Sequence, residues 1–229
     1  MCRILFIDVD VGTLSIVDEY GDSGTIDVVD VNEYSDMTAI YRMLRQNCQK
    51  RDASNGHDSA DYYNTVVIDT LTELDRHAIA QIQGVRMGQD PLGEESAITE
   101  GDTWNRNLST LTRLMRAMRA LPMHVIYVCH EVAKETSKGS QVYIRRPNLP
   151  GKLMSDVQGF VDVVGYLRRV TEANEQKFKL HIQPHRLYNA KCRIRGLKQP
   201  VLDDPTLADL LQPLQSHGLV GDRGGASQD

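Results

Sequence analysis

Cysteine is scarce in this chain and never closely spaced. Cys2, Cys48, Cys129 and Cys192 form no C-x-x-C pair, which argues against a zinc ribbon or a thioredoxin-like redox couple. Cys129 sits in an apolar stretch and reads as a small buried hydrophobe. Long hydrophobic runs are missing as well: the longest are strand-sized, far below the ~20 residues that a membrane-spanning helix needs. The chain opens almost directly into an apolar strand, so no secretory leader is expected and a cytosolic compartment is the default. One sign of charge is nearly absent at the start, where residues 1–37 hold nine acids and a single base, Arg3. The reverse holds over residues 105–120, with Arg106, Arg113, Arg116 and Arg119 and no acid. The overall charge of −5 is therefore an average over uneven segments, and a basic surface on an acidic protein is compatible with it.

What is present is an ordinary globular composition, 41% hydrophobic and 25% charged over 229 residues, enough for one large α/β domain. Residues 3–9 read as a buried strand and 26–31 as a half-exposed one. Asp36 can cap a helix that places Met37, Ile40, Tyr41, Leu44 and Cys48 on one face. Residues 65–68 form a second central strand, followed by a helix over about 72–83. Residues 84–102, with their glycines, Pro91 and paired acids, read as a mobile insertion. An amphipathic helix over 104–120 carries a stripe of Trp104, Leu108, Leu111, Met115 and Met118. Residues 124–129 are the third central strand, 131–152 a long, polar, basic loop, and 153–159 a short helix. Strand 160–167, a hairpin through 171–176 to 178–182 and a strand near 189–194 follow. Pro205 is placed to open a final helix, 206–214, and 216–229 is expected to be a disordered tail after a core spanning 1–215. Helices alternating with strands early, and hairpins late, indicate a mainly parallel sheet with helices on both faces and an antiparallel C-terminal edge.

Ligands of such sheets bind beyond the C-terminal ends of the strands, and three central strands here end in polar chemistry: Asp8 and Asp10, Asp69 and Thr70, His130 and Glu131. Asp69 can hold a magnesium ion with Thr70 behind it, or it can cap the helix that follows. Asp10 can act as a general base toward water, or it can bond the backbone of Gly12 and Thr13 as a turn acid. His130 can contact a terminal phosphate, or it can be a capping or core-edge histidine. His181 and His185 are four apart, but Pro184 and the strand pattern argue against a helical metal-ligand pair. The 131–152 segment gathers Lys134, Lys138, Arg145, Arg146 and Lys152 around Tyr143, a composition that suits single-stranded nucleic acid and equally a solvated surface loop. Lys191 and Arg193 share one side of a late strand, in isolation an ordinary exposed face.

Phe6-Ile7-Asp8-Val9-Asp10 with Gly12-Thr13-Leu14-Ser15, Val66-Val67-Ile68-Asp69-Thr70-Leu71-Thr72-Glu73-Leu74 and Val125-Ile126-Tyr127-Val128-Cys129-His130 together resemble RecA-fold ATPases. Pro150-Gly151-Lys152, Val161-Asp162-Val163-Val164-Gly165-Tyr166 and Ala190-Lys191-Cys192-Arg193 extend the resemblance, which is closest to the phage RecA-like single-strand annealing and recombination ATPases. It implies a RecA-like α/β core, ATP and Mg2+ as cofactors, single-stranded DNA as partner, a homo-oligomeric ring or filament, and the cytoplasm of a bacterial or phage-infected cell. It implies Asp10 as catalytic carboxylate, Asp69 as the magnesium-coordinating acid and His130 as the γ-phosphate sensor. It further implies Lys191 and Arg193 as a cationic pair reaching a neighbouring subunit's nucleotide. The family's phosphate grip, G-x-x-x-x-G-K-[ST], does not occur in these 229 residues. The expectation is a core whose first strand and P-loop helix are missing by truncation, with impaired ATP binding. A non-catalytic binding or assembly module and a helicase-like ATPase are the alternatives.

Overall fold

The computed structural model describes residues 3–13, 24–53, 62–90, 92, 100–136, 139 and 141–210. The expected tail, Lys138 and residues 91 and 93–99 of the expected insertion lie outside them. The chain divides into two compact units, Met1–His130 with Pro147–Phe160, and Glu131–Arg146 with Val161–Asp229.

Unit 1 is built on four parallel strands, β1 (Arg3–Asp8), β2 (Ile26–Asp30), β3 (Tyr63–Asp69) and β4 (His124–Tyr127), in the order β2-β1-β3-β4. Leu5, Phe6 and Ile7 of β1 and Val66 and Ile68 of β3 are buried, the near-continuous apolar run that strands covered on both faces require. The register sets Asp8 beside Asp30 on one side and beside Asp69 on the other, so carboxylates gather at the C-terminal rim. Among the described residues β4 is an edge rather than a central strand, and its four residues are only half-buried.

Among the described residues four helices belong to this unit. Helix α1 (Asp36–Ala53) buries Met37, Ile40, Leu44 and Cys48, an apolar stripe at helical spacing. Asp36 is its first residue, and its carboxylate accepts the N–H groups of Asn32 and Glu33 at 3.0 and 2.9 Å. Helix α2 (Leu71–Ile82) buries Leu71, Leu74 and Ala78. In α3 (Glu100–Arg119) the buried positions are Thr103, Asn107, Leu111, Leu114, Met115 and Met118. Trp104 is 44% exposed, which corrects the expected stripe: at 100° per residue, the core face passes through Thr103 and Asn107 instead. Asn107 is tolerated there because its Nδ2 donates to Asp75 Oδ1 of α2 at 2.7 Å, a buried pair. Helix α4 (Gly151–Phe160) buries Leu153 and Val157. It begins two residues earlier than expected and takes Phe160 from the strand expected there. Leu114, Met115, Leu121 and Leu149 join one core with the sheet, where burying each large side chain contributes roughly 1.5–3 kcal/mol.

Unit 2 consists of small sheets of its own. The expected basic loop is a two-stranded ribbon, β5 (Glu131–Glu135) with β6 (Tyr143–Pro147), whose last residue, Pro147, belongs to unit 1. Val132 and Ile144 are its half-buried β-branched positions, beside half-buried Arg146 and Pro147; one β-branched residue per strand among polar neighbours is a weak period-2 signal, which is why the segment reads as loop. Strands β7 (Val163–Val164) and β10 (Lys191–Cys192) pair antiparallel. Strands β8 (Tyr166–Glu172), β9 (Glu175–His181) and β11 (Val201–Asp203) form a second antiparallel sheet. The β8–β9 turn is Ala173-Asn174, both at positive φ (50° and 67°), as a two-residue primed hairpin turn demands. The expected 160–167 strand is interrupted at Gly165, between β7 paired with β10 and β8 paired with β9; a Cβ there would lie 2.6 Å from Leu180 Cδ1. Strand β11 is too short for a periodic signal. Pro205 precedes the last described helical turn rather than opening it; Thr206 caps that turn, accepting from Asp209 N at 3.3 Å while Asp209 Oδ2 accepts from Thr206 N at 2.7 Å.

Candidate functional site

The rim of unit 1 is organised by a residue that sequence reasoning left without a role. Asp8 is 2% exposed, and its carboxylate accepts Asp10 N (3.1 Å) and Gly12 N (3.3 Å) on Oδ1 and Thr13 N (3.1 Å) and Thr13 Oγ1 (2.7 Å) on Oδ2. The turn-acid task considered for Asp10 thus belongs to Asp8. Four donors on one carboxylate fold the loop after β1 back on itself and hold Val11 at φ 55°, a region that β-branched residues avoid.

Held by that loop, Asp10 turns toward β3 and β4. Its Oδ1 accepts Thr70 N at 3.3 Å and Thr70 Oγ1 at 3.1 Å, and its Oδ2 lies 3.2 Å from His130 Nε2. Thr70, not Asp69, caps α2: its Oγ1 accepts Glu73 N at 3.1 Å. The capping alternative for Asp69 therefore falls away. The imidazole of His130 is about half exposed, unlike a core-edge histidine. Its backbone is fixed from both sides, N–H donating to Thr72 Oγ1 at 3.1 Å and C=O accepting Asn148 N at 2.8 Å. Thr72, 4% exposed, is a second residue that carried no sequence signal. Residues 60 and 120 positions apart in the chain thus meet at adjacent strand ends. The Asp69–Thr70 peptide is cis.

The remaining carboxylate differs from its neighbours. Asp69 accepts no side-chain hydrogen bond among the described residues, and burial raises its pKa, the charges of Asp10 and Asp8 adding to the rise and His130 opposing it. A hard divalent cation would relieve that electrostatic penalty. The residues fit magnesium shared with phosphate oxygens and water, which needs only one or two carboxylates. They do not fit a dedicated centre, since among the described residues no group of three His, Cys, Asp or Glu could hold a metal.

In unit 2 the expected cations separate. Arg145 pairs with Glu131 and is exposed, as are Lys134 and Tyr143; Arg146 is half-buried, and its buried Nε has no hydrogen-bond partner among the described residues. Lys152 lies in the first turn of α4 in unit 1, off the ribbon. Lys191 is half-buried in β10, and its pKa is lowered by burial and by Arg193, with Asp162 opposing. Arg193 donates its backbone N–H to Asp162 O at 2.9 Å. His185 stacks on Tyr188 with centroids 4.4 Å apart and planes at 16°, while His181 meets the same ring tilted, at 4.8 Å and 54°.

The parallel strands of unit 1 thus collect two acids, a hydroxyl and an imidazole at the rim where ligands of such α/β sheets bind. The family model described as "AAA domain" matches residues 1–194. The chain belongs to this family of P-loop ATPase domains. A KaiC-like protein from the hyperthermophilic archaeon Pyrococcus horikoshii OT3 is similar at 14% identity with a TM-score of 0.39, over 78% of this chain and 63% of that one. The chain spans under two thirds of that structure's length, and a likeness so distant carries no argument. No curated protein matches. No helix among the described residues is long and apolar enough to cross a membrane.

Proposed function

We propose that this chain is an ATP-dependent, DNA-binding RecA-like protein of phage recombination or replication, acting on single strands by annealing or strand exchange. The observation that carries the reading is the cluster of Asp10, Thr70 and His130 beside an Asp69 carboxylate left open. In this reading Asp69 would hold the magnesium of a bound nucleotide, which supplies charge neutralisation for phosphoryl transfer. Asp10, oriented by Thr70, positions a water and accepts its proton. His130, now held by Asp10, exchanges that partner for the terminal phosphate. The next residue, Glu131, is engaged with Arg145 and Tyr166, so the chain itself leads from the rim to the basic ribbon. Lys134, Tyr143, Arg145 and Arg146 then contact DNA, and Lys191 and Arg193 serve a neighbouring subunit's nucleotide in a homo-oligomer. Cytoplasmic action follows from that role.

Without a G-x-x-x-x-G-K-[ST] segment in these residues, several charge-assisted bonds to phosphate, each worth roughly 1.5–3 kcal/mol, have no donor. The same absence favours the second reading, a non-catalytic binding module. Calorimetry of the 229 residues with MgATP is expected to show weak binding or none, and a low-micromolar dissociation constant would contradict it. If an in-frame segment encoding that loop lies upstream, the extended protein should hydrolyse ATP, and Asp10→Asn should abolish turnover while sparing nucleotide binding. An extended protein with no ATPase activity would leave the non-catalytic reading standing.

A further inference from the structure

Resting on the reading of unit 2 as a DNA surface, we propose that Tyr166, Tyr188 and His185 form a preorganised stacking platform whose outer ring, His185, receives an unpaired nucleobase. The three rings are nearly parallel: Tyr188 lies 5.2 Å from Tyr166 at 19° and 4.4 Å from His185 at 16°. Each ring is pinned. Tyr188 Oη is 2.8 Å from Nδ1 of His181, a residue only 6% exposed. Leu187 N donates to His185 Nδ1 at 3.2 Å, and Tyr166 is hydrogen-bonded to Glu131. The platform is also fastened to the basic ribbon, because Arg145 N donates to Leu187 O at 2.7 Å and Asn189 N donates to Arg145 O at 2.8 Å.

A fixed stack does not have to be ordered when a ligand arrives, which removes much of the entropic cost of binding. His185 is exposed, and in this proposal its ring face turned away from Tyr188 seats a further ring. Charge beside the stack suits a nucleic-acid strand: Arg168 is two residues along β8 from Tyr166, on the same face of the sheet, and is exposed. Any base has a π-face, and single strands offer it while duplexes cover it. The platform therefore recognises single-stranded DNA without reading its sequence, and it is distinct from the ribbon's exposed Tyr143.

The test is fluorescence anisotropy with the full chain and three labelled ligands: an oligothymidylate, an abasic backbone of equal length, and a duplex. The unmodified chain is expected to bind oligothymidylate roughly 5- to 100-fold more tightly than the abasic strand, and more tightly than the duplex. His185→Ala should bring the base-bearing and abasic affinities together, and His185→Phe should keep them apart. Arg168→Ala should weaken both ligands and lower the salt dependence. If His185→Ala discriminates bases as well as the unmodified chain, or the duplex binds as tightly as the single strand, the platform is overturned while DNA binding by unit 2 stands. If none of the three ligands binds, the DNA reading of unit 2 fails and the platform with it.

Discussion

The two units differ in the charge they concentrate. Unit 1 holds 21 Asp and Glu against 12 Lys and Arg, whereas unit 2 holds 10 against 14. Each also contains a group pushed away from its charged form by burial and by like-charged neighbours. In unit 1 it is Asp69, beside Asp10 and Asp8; in unit 2 it is Lys191, beside Arg193. Such groups gain stability when an opposite charge arrives from outside. The net charge of −5 therefore averages an acidic unit and a basic one.

The comparison can be broken from either side. The largest effect is expected from Asp8→Ala, which removes the acceptor of four donors and should cost unit 1 roughly 2–4 kcal/mol. The chain's single tryptophan, Trp104, lies in α3 of unit 1, so its emission during denaturant unfolding reports this loss; a midpoint unchanged from the unmodified chain would contradict it. Next in size, Arg145→Ala with Arg146→Ala should weaken single-strand binding roughly tenfold or more at moderate salt and lower the salt slope by about two. Titration of a labelled oligonucleotide at several salt concentrations checks both numbers, and an unchanged slope would remove the ribbon from the DNA surface.

A smaller effect sharpens the account of Asp69. Its folded pKa is raised from the usual 3.8, so the folded protein binds that proton more tightly than the unfolded chain. Stability is therefore lost as pH rises through the window between the two values, and the penalty is complete at neutral pH. Asp69→Asn should stabilise the protein at pH 7 by less than about 1 kcal/mol, given the partial solvation of the carboxylate. The gain should vanish below the ordinary carboxylate range, and thermal unfolding against pH would show it. The smallest change is Val11→Gly, at a position 74% exposed with φ 55°. Relief of the left-handed conformation should offset the added chain entropy, leaving stability within about 1 kcal/mol of the original.

Much of unit 1 could be read from residue order. The spacing of Met37, Ile40, Leu44 and Cys48 is a helix face in any context, and the apolar runs of β1 and β3 announce buried strands. Polar residues at the ends of those strands mark the rim before any coordinates are known. Unit 2 was less legible: its strands run to seven residues or fewer and carry exposed cations and single apolar positions, which leaves little periodicity to detect. Trp104 shows the limit within a well-read element, since a large apolar side chain one position off the core face looks like core in a pattern but not in space.

In unit 1 the sequence alone determined which segments become strands and helices, because periodic burial is a local property of the chain; in unit 2 the ribbon β5–β6 and strand β11 emerged only in the structure. Sequence also determined that acids, a threonine and a histidine would end three strands. Only the tertiary structure decided that Asp8 organises the loop and Asp10 faces Thr70 and His130. The parallel register aligns strand ends separated by 60 or more residues, and no local pattern encodes that register. The same holds for Tyr166, Tyr188 and His185, whose stacking depends on the β8–β9 pairing and on the backbone bonds between Arg145 and the segment 187–189.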